Sequence, residues 1–190
     1  PVLCGSAVNN AGVKELMDDV INYLPSPADR PAAVGTKPNT EEPLERKVSA
    51  SEPFSALVFK TVIDPFVGKL SLFKVMSGAL TAGSTVYNPN KDRNEKTGSL
   101  YILKGKKQIQ VDKITAGDIG AFAKLQHTVT GDTLCDPNSP IVYEGIEFPE
   151  PSISLAVEAE KQGDEEKVFA GLSRLMEEDP TFAVEQRSDI

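Results

Sequence analysis

The first part of the chain has the apolar spacing of an amphipathic helix. Apolar residues recur at steps of three and four from Val13 to Leu24, which places them on one face of a helix. Asn9 and Asn10 are candidate caps for its start. Pro25 ends the helix, because a residue that precedes proline disfavours helical geometry. The pattern therefore predicts one helix that stops at Leu24.

The next segment, residues 25–47, has no regular apolar period. It contains five prolines and few large apolar side chains. Such a composition cannot bury enough apolar surface to fold independently. We expect an extended, Pro-rich linker here, laid along a neighbouring surface.

From residue 48 to residue 147 the apolar period changes to two. Ala56–Ile63 is apolar at both alternating sets of positions, which predicts a strand covered on both faces. Asp64-Pro65-Phe66 interrupts it, and Leu70–Val75 resumes as the return strand. Further short strands, separated by turns that contain glycine, are predicted at Thr85–Tyr87, Ser99–Leu103, Gln108–Val111, Ile119–Leu125 and Thr133–Cys135. Many short strands without a helix indicate an all-β domain, and closing it as a barrel removes its exposed edges.

Residues 148–190 have a mixed pattern. Ile153–Val157 alternates apolar and polar residues, as a half-buried strand does. Asp164 is a candidate N-cap for a helix that ends at Asp179-Pro180. Thr181–Val184 then begins another strand. The apolar face of the predicted helix consists of Val168, Phe169, Leu172, Leu175 and Met176. The pattern predicts a β-α-β unit.

The net charge of −8 is unevenly distributed along the chain. Residues 54–136 carry 11 basic and 7 acidic residues, whereas residues 137–190 carry 4 basic and 13 acidic residues. The middle of the chain is therefore the candidate surface for a phosphate-bearing partner. Its densest basic point is Lys104, Lys106 and Lys107, for which a solvated hairpin tip is the competing interpretation.

Few residues suggest catalysis or metal binding. Cys4 and Cys135 match no metal or redox spacing, so we expect two reduced thiols in a cytoplasmic protein and no metal. His127 has no recognisable partner that would make it a catalytic base. No apolar run approaches the roughly 18 residues that a membrane span requires, so we expect no membrane partner.

Five stretches, in one collinear order along the chain, carry a family resemblance. They are DPFVGKLSLFKVMSGAL from Asp64, AGDIGAF from Ala116, TGDTLCD from Thr130, FPEPSISLAVEA from Phe148 and LMEEDPTFAVE from Leu175. These stretches resemble the second domain of the elongation factor G family and the start of its third. Upstream, PVLCGSA, the amphipathic helix and LPSP resemble the end of the family's GTPase domain. Other translational GTPases share the barrel, but the five stretches in register and the EEDPTF element favour elongation factor G.

The resemblance implies a mainly β fold with α/β ends. Residues 1–24 would be the C-terminal end of the GTPase domain, and residues 25–47 the Pro-rich linker. Residues 48–147 would be a closed, six-stranded translation-factor β-barrel. Residues 148–190 would be the first half of a ferredoxin-like third domain, hence a partial β-α-β unit.

The resemblance also assigns candidate site residues. Gly5, Ser6 and Ala7 match the fifth nucleotide motif, whose backbone contacts guanine in such GTPases. The family's barrel docks on RNA of the small ribosomal subunit, so the candidate RNA contacts are Lys69, Lys74, Lys104, Lys106 and Lys107. Arg is more usual in the family at the position of Lys74, and Lys does not replace Arg at a bidentate phosphate contact.

The machinery for phosphoryl transfer has no counterpart in the sequence. There is no Gly-x-x-x-x-Gly-Lys-Ser/Thr motif, no matching Mg²⁺ carboxylate and no Asn-Lys-x-Asp element. We expect this chain not to hydrolyse GTP and to hold no cofactor by itself. For a full-length parent, the resemblance implies GTP or GDP with Mg²⁺. The implied partners are the ribosome, through its RNA and proteins, and the GTPase domain of the same parent chain.

Three interpretations remain open at this point. The first is a segment of a translocation GTPase. The second is a ribosome-recycling or ribosome-protection relative, which the departures at Lys69, Lys74, Ala159 and Gln162-Gly163 favour because they suggest a paralogue. The third is an unrelated barrel that serves as a protein-interaction module.

The helix predicted after Asp164 would lack part of its packing partner in a half-complete third domain. A contiguous exposed apolar face tends to find another surface. We therefore expect residues 153–190 to associate with a second copy or to fold back on the barrel.

Overall fold

The computed structural model describes residues 1–105 and 107–185. The chain divides into two compact units, residues 1–31 and a second unit that begins at Ala32. The predicted β-α-β tail therefore clusters with the barrel region in one unit.

The first unit contains α1, Val13–Tyr23, and a short 3-10 helix, Pro27–Asp29. Helix α1 ends as predicted, with the Leu24 N–H donating to the Val20 carbonyl. It begins after Gly12, which adopts φ 77°, and the expected caps Asn9 and Asn10 were wrong. Asn10 adopts φ 52° in the preceding turn and donates to the Ala7 carbonyl, so it lies too early to cap the helix.

A hairpin occupies the second half of the segment expected to be an extended linker. Strands β1, Ala33–Thr36, and β2, Pro43–Arg46, pair antiparallel. Thr36 also exchanges both backbone hydrogen bonds with Val142, at 2.8 Å each. The prolines are tolerated because Pro38 lies in the turn and Pro43 is the first residue of its strand, where no ladder bond is lost. The prediction of an extended linker, which was based on the proline content, was therefore wrong for residues 33–46.

The second unit is mainly β, as predicted. Ten further strands follow the hairpin: β3 Ser55–Asp64, β4 Gly68–Ser77, β5 Ala79–Thr81, β6 Thr85–Asn88, β7 Arg93–Lys96, β8 Leu100–Lys104, β9 Lys107–Val111, β10 Lys113–Thr115, β11 Ile119–Ala123 and β12 Thr133–Cys135. In the described residues, eight of them form one antiparallel sheet in the order β7-β6-β12-β3-β4-β11-β8-β9. Strands β5 and β10 form a separate two-stranded ribbon.

The strand count differs from the expected closed barrel of six. Strand β7 was missed because its sequence, Arg-Asn-Glu-Lys, has no apolar alternation; it forms because it pairs with β6. No ladder joins β7 to β9 among the residues described. Side chains from β3, β4, β6, β8, β11 and β12 nevertheless pack into one core cluster.

The main core lies on one face of this sheet. Phe73 on β4 and Phe122 on β11 stack with ring centroids 4.1 Å apart, and both are fully buried. A second, smaller cluster lies on the opposite face, where Leu70 and Ala121 pack with Tyr101. As expected for a strand covered on both faces, within Ser55–Asp64 only Lys60 is exposed.

The C-terminal segment contains α2, Glu165–Glu178, with Asp164 at its N-cap position as predicted. The strands predicted at Ile153–Val157 and Thr181–Val184 do not form. A strand requires a hydrogen-bonded neighbour, and none lies beside these residues in the described part of the chain. Ile153 and Leu155 are accordingly 77% and 82% exposed. The predicted β-α-β unit is present only as its helix.

Candidate functional site

The Gly5-Ser6-Ala7 stretch opens a tight turn in the first unit. Ser6 and Ala11 exchange two backbone hydrogen bonds of 3.0 Å, and the Ala7 carbonyl accepts from the Asn10 N–H at 3.3 Å. The Ser6 hydroxyl accepts from the Asn9 N–H at 3.4 Å. The serine thus steadies the turn by bonding its backbone.

Glycine at position 5 has a local structural reason. A Cβ at Gly5 would lie 2.8 Å from the Ala11 carbonyl oxygen, so a side chain there would displace the returning backbone. The neighbouring Gly12 has φ 77°, and a Cβ there would lie 3.0 Å from the Cys4 carbonyl oxygen. The two glycines therefore let the backbone segments at residues 4–5 and 11–12 approach closely.

The predicted lysine cluster lies at a hairpin tip. Lys104 ends β8 and pairs directly with Lys107, the first residue of β9. Both side chains are exposed, and Gly105 between the strands adopts φ 57°. Lys106 lies outside the described residues. The two described lysines of the cluster thus lie on an exposed hairpin tip, and their contact with RNA stays a prediction.

Lys69 and Lys74 both lie on β4 and are half-buried. Their odd separation, within a regular pairing to β11, places their side chains on opposite faces of the sheet. The Lys69 ammonium lies 3.5 Å from the Glu177 carboxylate of α2, with a side chain only 16% exposed. The structure therefore does not bring these two lysines together, and Lys69 is engaged by α2.

The turn between β3 and β4 is rigidly held. Asp64 Oδ1 accepts the N–H groups of Phe66 and Val67 at 2.8 and 2.9 Å. Its Oδ2 accepts from Gln108 Nε2 on β9 at 2.7 Å. The Val67 and Phe66 amides lower the pKa of the Asp64 carboxyl below its usual value, and the Gln108 bond adds to this. This carboxylate therefore joins the β3–β4 turn to the β8–β9 hairpin.

A shallow groove beside this turn contains two lysines that sequence reasoning missed. It is lined by Val67, Lys96, Ser99, Tyr101 and Lys124, among others. The Lys124 N–H donates to the Lys69 carbonyl at 2.8 Å, and Lys124 adopts φ 63°, which is unusual for a residue with a side chain. No local pattern marks Lys96 and Lys124, because they are distant in sequence.

A buried carboxylate next to Lys96 fixes the segment that carries Lys124. Glu95 is 6% exposed and accepts the backbone N–H of Gln126 at 2.7 Å and of His127 at 3.3 Å. It also accepts the hydroxyl of Thr128. His127 is exposed. The Glu95 bonds position Lys96 and Lys124 at one groove.

Two further findings concern metal binding and membrane spans. Within residues 1–105 and 107–185, no group of three or more His, Cys, Asp or Glu side chains is arranged to hold a metal ion. Neither of the described helices, of 11 and 14 residues, has the length and apolar content to cross a membrane.

Comparison with known proteins identifies the family. The family model described as elongation factor G domain 2 matches residues 53–137, and that described as elongation factor G domain III matches residues 148–189. Together the two matches cover more than half of the chain. The chain belongs to the elongation factor G family. The first match contains Phe66 and all the described lysines discussed above, and the second contains α2.

Curated elongation factor G proteins from Dehalococcoides mccartyi are similar over nearly the whole chain. Elongation factor G of strain 195 is 50% identical over 97% of this chain, and that of strain BAV1 is 49% identical over the same share. The chain spans 27% of the length of these elongation factor G relatives. A crystal structure of a protein from Thermus thermophilus has the same fold, with a TM-score of 0.68 at 23% identity. The match covers 94% of this chain and 24% of the Thermus thermophilus chain.

Proposed function

We propose that this chain is a middle segment of an elongation factor G-like GTPase that promotes ribosomal translocation in protein synthesis. The observation that carries the proposal is the collinear 50% identity over 97% of the chain to a protein named elongation factor G. The matches to two successive domains of the same family support it. In this proposal the domain bounds stay 1–24, 25–47, 48–147 and 148–190, although residues 33–46 of the second segment form a hairpin and not an extended linker. The parent acts in the cytoplasm.

The barrel supplies contacts rather than catalysis in this proposal. Its basic surface faces ribosomal RNA of the small subunit, and another part of it faces the GTPase domain of the same parent chain. Helix α1 belongs to that GTPase domain and packs on the rest of it. The exposure of its apolar residues supports this, since Met17, Ile21 and Leu24 are 64%, 79% and 64% exposed.

The parent hydrolyses GTP with Mg²⁺ in this proposal, and this chain contributes one element to the nucleotide site. The main-chain groups of Gly5, Ser6 and Ala7 contact the guanine base, and the Ser6 hydroxyl holds their turn. The small side chains of these three residues and the close backbone approach at Gly5 support that role. The phosphate cradle and the Mg²⁺ carboxylates, for which the sequence contains no matching motif, come from elsewhere in the parent.

A ribosome-recycling or ribosome-protection relative is the second candidate. Lys74 favours it, because this position is half-buried on β4 and a Lys there cannot make the bidentate phosphate contact of an Arg. The two candidates differ in the reaction that the parent performs on the ribosome, and one chimera tests both.

The test replaces the matching 27% of the D. mccartyi strain 195 protein with this chain. We expect the chimera to translocate messenger RNA on bacterial ribosomes, measured by toeprinting, at a rate within about tenfold of the relative. The unmodified relative and a version with the segment deleted are the controls. A stable chimera that splits ribosomes into subunits without translocation would support the recycling relative and contradict our first choice.

A further inference from the structure

One aromatic side chain at the end of the barrel has no structural role that explains its type. Phe66 is 95% exposed at the β3–β4 turn. Its backbone is fixed, because Asp64 accepts the N–H groups of Phe66 and Val67. An apolar ring is therefore exposed to solvent on a turn that backbone hydrogen bonds to Asp64 hold in place.

Lysines from two regions lie near the turn that carries this ring. In the β8–β9 hairpin, exposed Lys104 and Lys107 pair, and the next residue, Gln108, bonds to Asp64 at 2.7 Å. Lys96 and Lys124 line a groove together with Val67, the residue after Phe66. Four lysines from three different hairpin or loop segments thus lie in elements next to this turn.

The acidic groups found at this turn have partners of their own. Asp64 is the carboxylate within the turn, and its two oxygens are directed at Phe66, Val67 and Gln108. Two acidic side chains approach from α2: Glu177 pairs with a fifth lysine, Lys69, at 3.5 Å, and Glu178 accepts the backbone N–H of Ile63. The four lysines near the turn are exposed to solvent.

An exposed flat ring with two pairs of lysines in neighbouring elements suits an unpaired nucleotide. Single-stranded RNA is bound by aromatic side chains that stack on its bases and by lysines that contact its phosphates. A protein partner would instead require a broader apolar patch than one ring. Two separate lysine pairs can contact the phosphates before and after a splayed base.

We propose that Phe66 stacks on an unpaired base of RNA, with Lys96 and Lys124 as one pair and Lys104 and Lys107 as the other holding the adjacent phosphates. The inference rests on the proposed function, in which that RNA is ribosomal. It also changes the assignment of the RNA contacts, because Lys69 is neutralised by Glu177 and Lys74 lies on the opposite face of β4 from Lys69.

The test measures affinity by fluorescence anisotropy of the whole chain. The two probes are bacterial small ribosomal subunits and an unpaired RNA of about 12 nucleotides, long enough for one binding site. Phe66→Tyr keeps a ring that can stack, Phe66→Leu keeps only apolar bulk, and Phe66→Ala removes both. Lys96→Gln with Lys124→Gln removes one lysine pair. Lys91→Gln is the matched control, because Lys91 is exposed and lies on the β6–β7 turn. That turn bonds to β12 through Asn90, and β12 pairs with the start of β3, whereas Phe66 follows the end of β3.

We expect Phe66→Ala and Phe66→Leu to weaken binding to both probes by about five- to 100-fold, as loss of one stacked base does. Phe66→Tyr and Lys91→Gln should bind as the wild type does. The Lys96/Lys124 double variant should weaken binding and reduce the salt dependence by about one ion per lost phosphate contact, whereas Phe66→Ala should leave the salt dependence unchanged. Thermal unfolding checks that all variants fold, which we expect because the mutated side chains are exposed.

Each of the remaining outcomes contradicts the inference, the proposed function or both. If the wild type binds subunits and Phe66→Ala binds equally well, the inference is wrong and the proposed function stands. If Phe66→Leu retains binding to subunits, Phe66 contacts a ribosomal protein rather than a base, and the inference is wrong. If the short RNA is bound through Phe66 but subunits are not, the inference holds and the proposed function fails. If neither probe is bound, both are overturned.

Discussion

At the residue scale, two glycines next to short strands show that backbone conformation and the space for a side chain are separate reasons for glycine. Gly78 and Gly83 have nearly the same conformation, with φ 74° and 79°. A Cβ at Gly78 would lie 2.5 Å from the Phe54 nitrogen and 2.6 Å from the Glu52 oxygen, whereas a Cβ at Gly83 would meet nothing within 4 Å. The first position excludes a side chain by sterics and conformation, and the second by conformation alone.

Gly78→Ala should therefore destabilise the β unit more than Gly83→Ala. The left-handed conformation costs a residue with a Cβ about 1–2 kcal/mol, which both variants incur. Gly78→Ala additionally forces the 52–54 backbone to move, so we expect its total loss to exceed about 3 kcal/mol. Urea unfolding followed by circular dichroism measures both. Equal midpoints for the two variants would contradict the close approach at Gly78.

The two thiols should differ in reactivity. Cys4 is exposed and Cys135 is buried. Burial raises the pKa of the Cys135 thiol, and the nearby Asp136 carboxylate acts in the same direction. Because the thiolate is the reactive form, Cys135 should remain unreactive at about pH 8 while Cys4 is labelled. Titration with a disulfide reagent should detect one thiol in the folded chain and two in denaturant. Rapid reaction of a Cys4→Ser variant without denaturant would contradict this.

At the element scale, α2 contacts the barrel through its last turn. Glu177 pairs with Lys69, and Glu178 accepts the backbone N–H of Ile63 on β3. Ile63 lies beyond the part of β3 that β12 covers, so this donor is at a free strand edge. Part of the helix's apolar face stays open, with Phe169 and Leu175 each 48% exposed. The last turn of α2 thus contacts the barrel, as the expected fold-back requires. Association of this segment with a second copy stays a prediction.

Glu177→Gln with Glu178→Gln should loosen α2 without unfolding the barrel. A partly exposed ion pair contributes about 0–1 kcal/mol and a hydrogen bond to a charged acceptor somewhat more. We expect amide exchange in α2 to become about tenfold faster, while exchange in β3 and β4 away from Ile63 is unchanged. Glu166→Gln, in the first turn of the same helix, is the control for loss of charge. Unchanged exchange in α2 would show that apolar packing alone holds it.

At the scale of the whole molecule, the proposed nucleotide motif and the proposed RNA-contact surface lie in different compact units. A substitution in either unit therefore tests one proposed role. The barrel unit holds all the described lysines assigned to RNA, and the first unit holds Gly5-Ser6-Ala7. This separation makes nucleotide binding and ribosome binding testable independently.

The isolated chain should bind GDP no more tightly than about millimolar. A backbone contact to guanine contributes about 1–2 kcal/mol, which is far less than a micromolar dissociation constant requires. Titration of a fluorescent GDP analogue measures this, with a Gly5→Ala variant as the control for the turn. Saturation at micromolar nucleotide that Gly5→Ala abolishes would overturn the assignment of this chain as an incomplete site.

Local signals in the amino-acid sequence were enough to predict the features that depend on neighbouring residues. The end of α1 at Leu24, the cap at Asp164 and the turn at Asp64 follow from local backbone preferences, and the alternating strands from side-chain direction. The five collinear stretches also sufficed to indicate the elongation factor G family. These signals lie within short segments, so they can be recognised without knowledge of the fold.

Which distant residues meet could be learned only from the folded chain. Strands β1, β2 and β7 form because partners lie beside them, whereas Ile153–Val157 has the right alternation and no partner among the residues described. Lys69 was assigned to RNA, but α2 places Glu177 against it. Lys96 and Lys124 had no sequence signal, and they line one groove because Glu95 binds the backbone at residues 126 and 127. Pairing and burial depend on chain segments far apart in sequence, which no local pattern encodes.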